Sequence, residues 1–81
     1  MTSRGRRQRP AELTIGEVIR TIREARGLSQ RDLAATARIS QPYLAQLENG
    51  TRKRPAFDIV VKIARGLGMS LDELSERVSR G

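Results

Sequence analysis

The sequence contains neither cysteine nor histidine, and these two absences exclude several classes of function. Without cysteine there is no disulfide framework and no thiolate metal ligand, and without histidine the commonest metal ligand and general base is also missing. The side chains that remain provide no plausible set of base, nucleophile and metal ligands. We therefore expect a protein that is not an enzyme and that needs neither a metal nor a cofactor.

Aromatic residues and long apolar runs are also scarce. Tyr43 and Phe57 are the only aromatic residues, so the core must be built from aliphatic side chains. No apolar run approaches the roughly 20 residues of a membrane-spanning helix, and the arginine-rich N-terminus lacks the apolar segment of a secretory signal. The sequence therefore predicts a cytoplasmic protein with no membrane association.

What the chain has in excess is positive charge. Sixteen lysines and arginines outnumber nine aspartates and glutamates, which gives the 81 residues a net charge of +7. Such a surplus attracts polyanions, and by itself it fits DNA, RNA or anionic lipid. The densest clusters are Arg4, Arg6, Arg7 and Arg9 near the N-terminus and Arg52, Lys53 and Arg54 further along. The scarcity of aromatic stacking residues argues against RNA and single strands.

The rest of the sequence predicts an all-α fold of five short helices. Apolar residues recur at helical spacing between capping residues and glycines, and no alternating strand pattern is present. The expected helix starts are Thr14, Ser29, Ser40, Pro55 and Ser70. Thr14 and Glu17 predict a capping box, and Leu13 with Val18 predicts a hydrophobic staple beside it.

The apolar positions of the predicted helices indicate their buried sides. Leu44 and Leu47 face inward on the third helix. The expected buried side of the fourth helix consists of Phe57, Val60, Ile63, Ala64 and Leu67. Residues 1–12 are too polar and basic to bury apolar surface, so they predict a flexible arm, and residues 13–81 predict one domain.

Three consecutive motifs occupy the predicted second and third helices. They are Leu28-Ser29-Gln30-Arg31-Asp32-Leu33-Ala34, Ile39-Ser40-Gln41-Pro42-Tyr43-Leu44 and Gln46-Leu47-Glu48-Asn49-Gly50. A Lys-Arg-Pro loop and a closing Leu-Gly-x-Ser-Leu-Asp-Glu-Leu segment follow them. As a set, between about Thr14 and Leu74, these motifs resemble the phage repressor and Cro family (XRE family) of helix-turn-helix transcriptional regulators.

The resemblance implies a compact five-helix lambda-repressor-like domain with its helix-turn-helix at about residues 29–48. In that family the third helix lies in the major groove of DNA and the second crosses above it. The resemblance also implies a buried ion pair between Arg23 and Glu48 that holds the third helix. It further implies that Gln30 touches a phosphate and supports the first base-reading residue, Gln41.

The outer side of the third helix carries the expected base-reading residues, which are Gln41, Pro42, Tyr43 and Gln46. A glutamine can pair with adenine N6 and N7 or donate to guanine acceptors. Pro42 has no polar group, so it can touch only a thymine methyl or a sugar. Tyr43 reaches a phosphate, packs on a thymine methyl, or is a half-buried packing residue. The alternative for the glutamines is that they only keep a surface helix soluble.

Helix starts and the basic loop are the expected phosphate contacts, because exposed first-turn amides and the helix dipole attract anions. The residues are Ser29, Gln30, Ser40, Asn49, Thr51, Arg52, Lys53 and Arg54. The alternative for residues 51–54 is an ordinary solvated loop. The arginine-rich arm either follows the minor groove or is a tail outside the interface.

One such domain covers only a few base pairs, so we expect a homodimer on half-sites about 34 Å apart. Met69, Leu71, Leu74 and Val78 either form its two-fold interface or close the core. The expected function is a transcriptional regulator that represses from a palindromic operator on double-stranded DNA. The alternatives are an antitoxin or restriction-modification controller with a protein partner, and a non-specific nucleic-acid-binding protein.

Overall fold

A computed structural model describes residues 14–80 of the chain, and this part contains five α-helices and no strand. The helices are α1 (Ile15–Ala25), α2 (Gln30–Ala37), α3 (Gln41–Glu48), α4 (Phe57–Leu67) and α5 (Leu71–Arg80). The prediction of an all-α, five-helix fold is confirmed. The predicted arm with Arg4, Arg6, Arg7 and Arg9, and Leu13 of the predicted staple, lie outside the described residues.

Side chains at the predicted positions cap four of these helices. Three of the caps are reciprocal, with a hydroxyl and a carboxylate each accepting from the other residue's amide: Thr14 with Glu17, Ser29 with Asp32, and Ser70 with Glu73. At α3, Ser40 Oγ accepts from the amide of Tyr43 at 3.1 Å. Each such cap stabilises its helix by about 1 kcal/mol. These local hydrogen bonds therefore favour helices that begin at the capped positions.

The start of α4 differs from the expectation. The helix begins at Phe57 rather than at Pro55, and Ala56 at the N-cap provides no side-chain hydrogen bond. Phe57 was predicted to be buried, but 71% of its surface is exposed, and Val60 is only half-buried. The prediction is therefore wrong for Phe57.

The physical reason is that the core does not extend along the whole length of α4. The C-terminal half of α4 packs on α2, and a Cβ on Gly66 would lie 2.9 Å from Leu33 Cδ1 and 3.5 Å from Ala37 Cβ. In the first turn of α4, Ile59 and Val60 pack partly against the core, whereas Phe57 lies beyond its edge. Apolar periodicity identifies a side of a helix, but it does not indicate how far along that side the core extends.

The core is aliphatic, as the composition predicts. Its thirteen buried apolar residues are Val18, Ile19, Ile22, Leu33, Ala34, Ala37, Leu44, Leu47, Ile63, Ala64, Leu67, Met69 and Leu74. None of them is aromatic. No helix in residues 14–80 combines the length and apolar character that would let it span a membrane.

The position of α3 depends on its contacts with α1 and α2. The approach to α1 is very close at Gly16, where a Cβ would lie 1.7 Å from the carbonyl oxygen of Leu47. This spacing is far inside van der Waals contact, so only glycine allows the two helices to pack this closely. With α1 and α2 on its inner side, α3 has one side left for solvent.

Candidate nucleic-acid interface

A turn of three residues, 38–40, joins α2 to α3. Arg38 ends α2 in the left-handed conformation, with φ 60° and ψ 45°, and the amide of Ile39 donates to the carbonyl of Ala34 at 3.0 Å. Ile39 packs against the core, and Ser40 caps α3. The two helices therefore form the predicted helix-turn-helix. Arg38 was not predicted in this conformation, because the usual signal for it is glycine.

The solvent-facing side of α3 contains the predicted base-reading residues. Leu44 and Leu47 are completely buried on the inner side, whereas Gln41 and Pro42 are exposed. Tyr43 and Gln46 are half-buried and lie at the edges of the exposed side. The structure thus brings Gln41, Pro42 and Gln46 to one surface, with Tyr43 packing partly against the core.

The loop after α3 folds back over this surface through Arg52. Its backbone amide donates to the carbonyl of Gln46 at 3.0 Å, and its Nε donates to Gln46 Oε1 at 3.1 Å. Its guanidinium carbon lies 4.8 Å from the centroid of the Tyr43 ring, which is within the range of a cation–π interaction. We call these three contacts the Arg52 latch.

The sequence interpretation placed Arg52 only among the phosphate contacts, so it missed the latch. The available signal was the turn-forming pair Asn49-Gly50 between Gln46 and Arg52. Gly50 takes a left-handed φ of 87°, and Asn49 Oδ1 accepts from the amide of Thr51 at 2.9 Å. These two residues reverse the chain, and the reversal returns Arg52 to α3.

A buried ion pair fixes the opposite side of α3. Arg23 donates from Nε to Glu48 Oε2 at 2.8 Å and from Nη2 to Glu48 Oε1 at 2.9 Å, while its Nη1 donates to the carbonyl of Leu28 at 2.7 Å. Hydrogen bonding to Glu48 raises the pKa of Arg23 above its ordinary value. The pair links α1 to the last residue of α3, in the arrangement that the family resemblance implies.

Gln30 joins this buried pair. Its Nε2 donates to Glu48 Oε1 at 3.0 Å, so the side chain points along the end of α3 toward Glu48. The expected support of Gln41 by Gln30 is not among the hydrogen bonds formed within residues 14–80. One hydrogen of the Gln30 amide nitrogen remains for a phosphate oxygen.

The starts of α2 and α3 differ in charge. The amide of Ser29 donates to the carboxylate of Asp32, which places a negative charge at the first turn of α2. No acidic residue lies in the first turn of α3, where Ser40 is the cap. The start of α3 is therefore the better of the two predicted serine sites for a phosphate, because it has no carboxylate beside its free amides.

Beyond the latch, the loop presents two exposed cations. Lys53 and Arg54 are exposed and belong to none of the ion pairs formed within residues 14–80. Thr51 and Asn49 are also exposed, although the Asn49 oxygen is engaged by the loop itself. The surface as a whole therefore offers amide groups and positive charge, and the described residues hold no cluster of acidic side chains suited to a metal.

The predicted dimer residues on and before α5 separate into two groups. Leu74 is completely buried in the protomer's own core and Met69 is also buried, so the alternative role of closing the core applies to these two. Leu71 and Val78 are half-buried, and Val78 also packs partly against the core. Phe57, at the start of α4, is the exposed large apolar residue of the described chain.

Comparison with known proteins also identifies a helix-turn-helix in this chain. The sequence model of the Helix-turn-helix family matches residues 19–74. An uncharacterized HTH-type transcriptional regulator of Mycobacterium tuberculosis is 43% identical over 62 residues, which cover 76% of this chain and 44% of that protein. The chain thus spans less than half the length of this relative.

Two solved structures are also similar. The restriction-modification controller protein C.AhdI from Aeromonas hydrophila has a TM-score of 0.69 and 32% identity, over 74% of this chain and 89% of that chain. The clp gene regulator ClgR from C. glutamicum has a TM-score of 0.72 and 26% identity, over 80% of this chain and 83% of that chain.

Proposed function

The chain belongs to the XRE-type helix-turn-helix family of transcriptional regulators, and from that premise we propose that it represses transcription by binding a palindromic operator as a homodimer. The observation that carries the proposal is the outer side of α3. There Gln41 is exposed and Gln46 is half-exposed, opposite the fully buried Leu44 and Leu47, and a basic loop follows directly. This combination suits a helix that enters a groove between two phosphate backbones.

In the proposed complex, α3 lies in the major groove. Gln41 and Gln46 contact base edges, and Pro42 fits against a thymine methyl or a sugar. Lys53 and Arg54 contact phosphates beside the groove, together with Ser40 and the free amides at the start of α3. The ion pair between Arg23 and Glu48 holds α3 in position for these contacts.

Two copies are needed because one domain covers only a few base pairs. Leu71 and Val78 on α5 remain the proposed two-fold contacts, since Met69 and Leu74 are buried within the protomer. Sedimentation of a double variant, Leu71→Glu with Val78→Glu, should give a monomer, and Phe57→Glu is the control on another exposed surface. A monomeric parent protein would contradict the homodimer, and dissociation by Phe57→Glu alone would move the interface to α4.

The decisive experiment is a selection of binding sites from random duplex DNA at physiological salt, followed by competition with scrambled sequences. We expect an inverted repeat with half-site centres about one helical turn apart, preferred by about a thousandfold or more. A double variant, Gln41→Ala with Gln46→Ala, is the control and should lose the enrichment while it stays folded. Absence of enrichment with the parent protein would reject the proposal.

A restriction-modification controller is the second candidate function. The observation in its favour is the similarity to C.AhdI, of which 89% is covered by this chain. The selected operator distinguishes the two functions, since a controller's operator should lie next to genes for a DNA methyltransferase and an endonuclease. An operator upstream of unrelated genes would favour the general repressor.

A further inference from the structure

The Arg52 latch determines which way the Gln46 side-chain amide faces. Arginine has five N–H donors and no acceptor, so the atom of Gln46 that faces Arg52 Nε at 3.1 Å must be the carbonyl oxygen. The amide nitrogen of Gln46 is then the atom that does not face Arg52 Nε. The latch therefore fixes the amide in one of its two orientations.

This orientation changes what Gln46 offers to a base. A free glutamine presents one acceptor and one donor together, which is the pattern that pairs with adenine N6 and N7. Here the carbonyl oxygen already accepts from a positively charged donor. A second donor, such as the adenine amino group, would have to approach the same oxygen beside the guanidinium.

Most of the hydrogen-bonding capacity that remains around Gln46 is donor capacity, because its carbonyl oxygen keeps only one free lone pair, beside the guanidinium. Its amide nitrogen has two hydrogens, and Arg52 has four more on its Nη atoms, which no acceptor within residues 14–80 takes. In the major groove guanine presents two acceptors, O6 and N7, whereas adenine presents one acceptor and one donor, and cytosine presents a donor. The donor set formed by Gln46 and Arg52 is therefore complementary to guanine.

We propose that Arg52 is a specificity-determining residue, which orients Gln46 so that the pair reads a guanine. Tyr43 contributes through the cation–π contact, in which the guanidinium carbon of Arg52 lies 4.8 Å from the centroid of the Tyr43 ring. The proposal rests on the proposed function, because it requires that α3 lies in the major groove. It assigns Arg52 to base selection, in contrast to its neighbours Lys53 and Arg54, which contact phosphates.

The test begins by locating the base pair that Gln46 contacts. Gln46→Ala identifies it as the operator position at which discrimination among the four base pairs is lost. Dissociation constants for the four operators that differ at this position are then measured by fluorescence anisotropy for the parent, for Arg52→Met and for Lys53→Met. Arg52→Met keeps the length of the side chain and removes its donors, and Lys53→Met is the matched loss of one loop charge.

The parent should prefer guanine over adenine at this position by about tenfold or more. Arg52→Met should reduce that ratio to about one or reverse it, because the freed amide can now pair with adenine. Lys53→Met should weaken binding to all four operators by the same factor and leave the ratio unchanged. Thermal unfolding of both variants checks that they remain folded, as expected for exposed side chains.

Two results would overturn the inference while leaving the proposed function intact. One is a parent protein that prefers adenine at this position, and the other is an Arg52→Met variant that weakens all four operators equally, as a phosphate contact would. If instead no duplex is preferred over scrambled DNA, the proposed function itself fails, and the inference fails with it.

Discussion

Two arginines hold α3 from opposite sides, and their surroundings differ. Arg23 binds Glu48 on the inner side, where 8% and 5% of the two residues' surfaces are exposed. Arg52 binds Gln46 and Tyr43 on the outer side, in contacts that face solvent. A buried pair cannot lose one partner without stranding a charge, whereas an exposed pair keeps hydrogens available for a ligand. The same residue type therefore serves stability on one side of α3 and, in the proposed complex with DNA, recognition on the other.

The largest expected effect comes from breaking the inner pair. Glu48→Ala leaves Arg23 buried without its carboxylate and Gln30 without its acceptor. We expect a loss of about 3–5 kcal/mol in the free energy of unfolding, measured by urea denaturation.

Glu24→Ala is the control for this prediction. Glu24 also pairs with arginine, at 3.2 Å from Arg20, but its side chain is 55% exposed. Its removal should cost less than about 1 kcal/mol. Equal losses for Glu24 and Glu48 would break the comparison between buried and exposed arginine pairs.

The next largest effect is expected at the contact that positions the inner side of α3. Gly16→Ala places a Cβ against the Leu47 carbonyl, so α1 and α3 must separate. We expect a loss of about 1–3 kcal/mol in unfolding free energy, although alanine favours a helix by about 1 kcal/mol. DNA discrimination should fall in parallel because α3 shifts. Gly66→Ala is the control, since its Cβ meets the end of the flexible Leu33 side chain, and a larger loss there would contradict this explanation.

Variants on the outer side should change binding and leave stability unaffected. Gln46→Ala should lower discrimination at one base pair by about 1–3 kcal/mol. Arg54→Ala should weaken binding to all duplexes similarly and reduce the slope of affinity against salt by about one. Binding titrations over a range of salt concentrations separate the two effects. Equal loss of discrimination in both variants would contradict the division between base and phosphate contacts.

The smallest effect is expected at Arg38, an arginine that belongs to neither network. Its left-handed conformation favours glycine, so Arg38→Gly should raise the unfolding free energy by about 0.5–1 kcal/mol and leave base discrimination unchanged. Gly27→Ala is the opposite case, since Gly27 has a φ of 70°, and it should be destabilising. Thermal unfolding measures both, and a change of the same sign in the two variants would be inconsistent with this reasoning.

The parts of the molecule that the sequence predicts well are those set by local chemistry. Helix starts at Thr14, Ser29, Ser40 and Ser70 depend on hydrogen bonds within four residues, so the pattern of hydroxyl and acidic residues is sufficient to find them. The inner and outer sides of α3 follow from periodicity in the same way.

The parts that were missed depend on contacts between elements. Phe57 fits the apolar period of α4, but its exposure depends on how far along the helix the core extends. Gln30 binds Glu48, and Arg52 binds Gln46 and Tyr43, because the folded chain brings these side chains together. For a long polar side chain the sequence indicates an exposed position, and the tertiary structure decides which partner is within reach.

The Arg52 latch also has an entropic and kinetic consequence. Fixing one long, flexible side chain when a complex forms typically costs about 0.5–1.5 kcal/mol in lost rotamer freedom. In this protein the loop already restricts Gln46 through a backbone and a side-chain hydrogen bond. Part of the loss in rotamer freedom of Gln46 therefore occurs during folding rather than during binding. In addition, the amide has fewer orientations to sample before it forms a contact with a ligand.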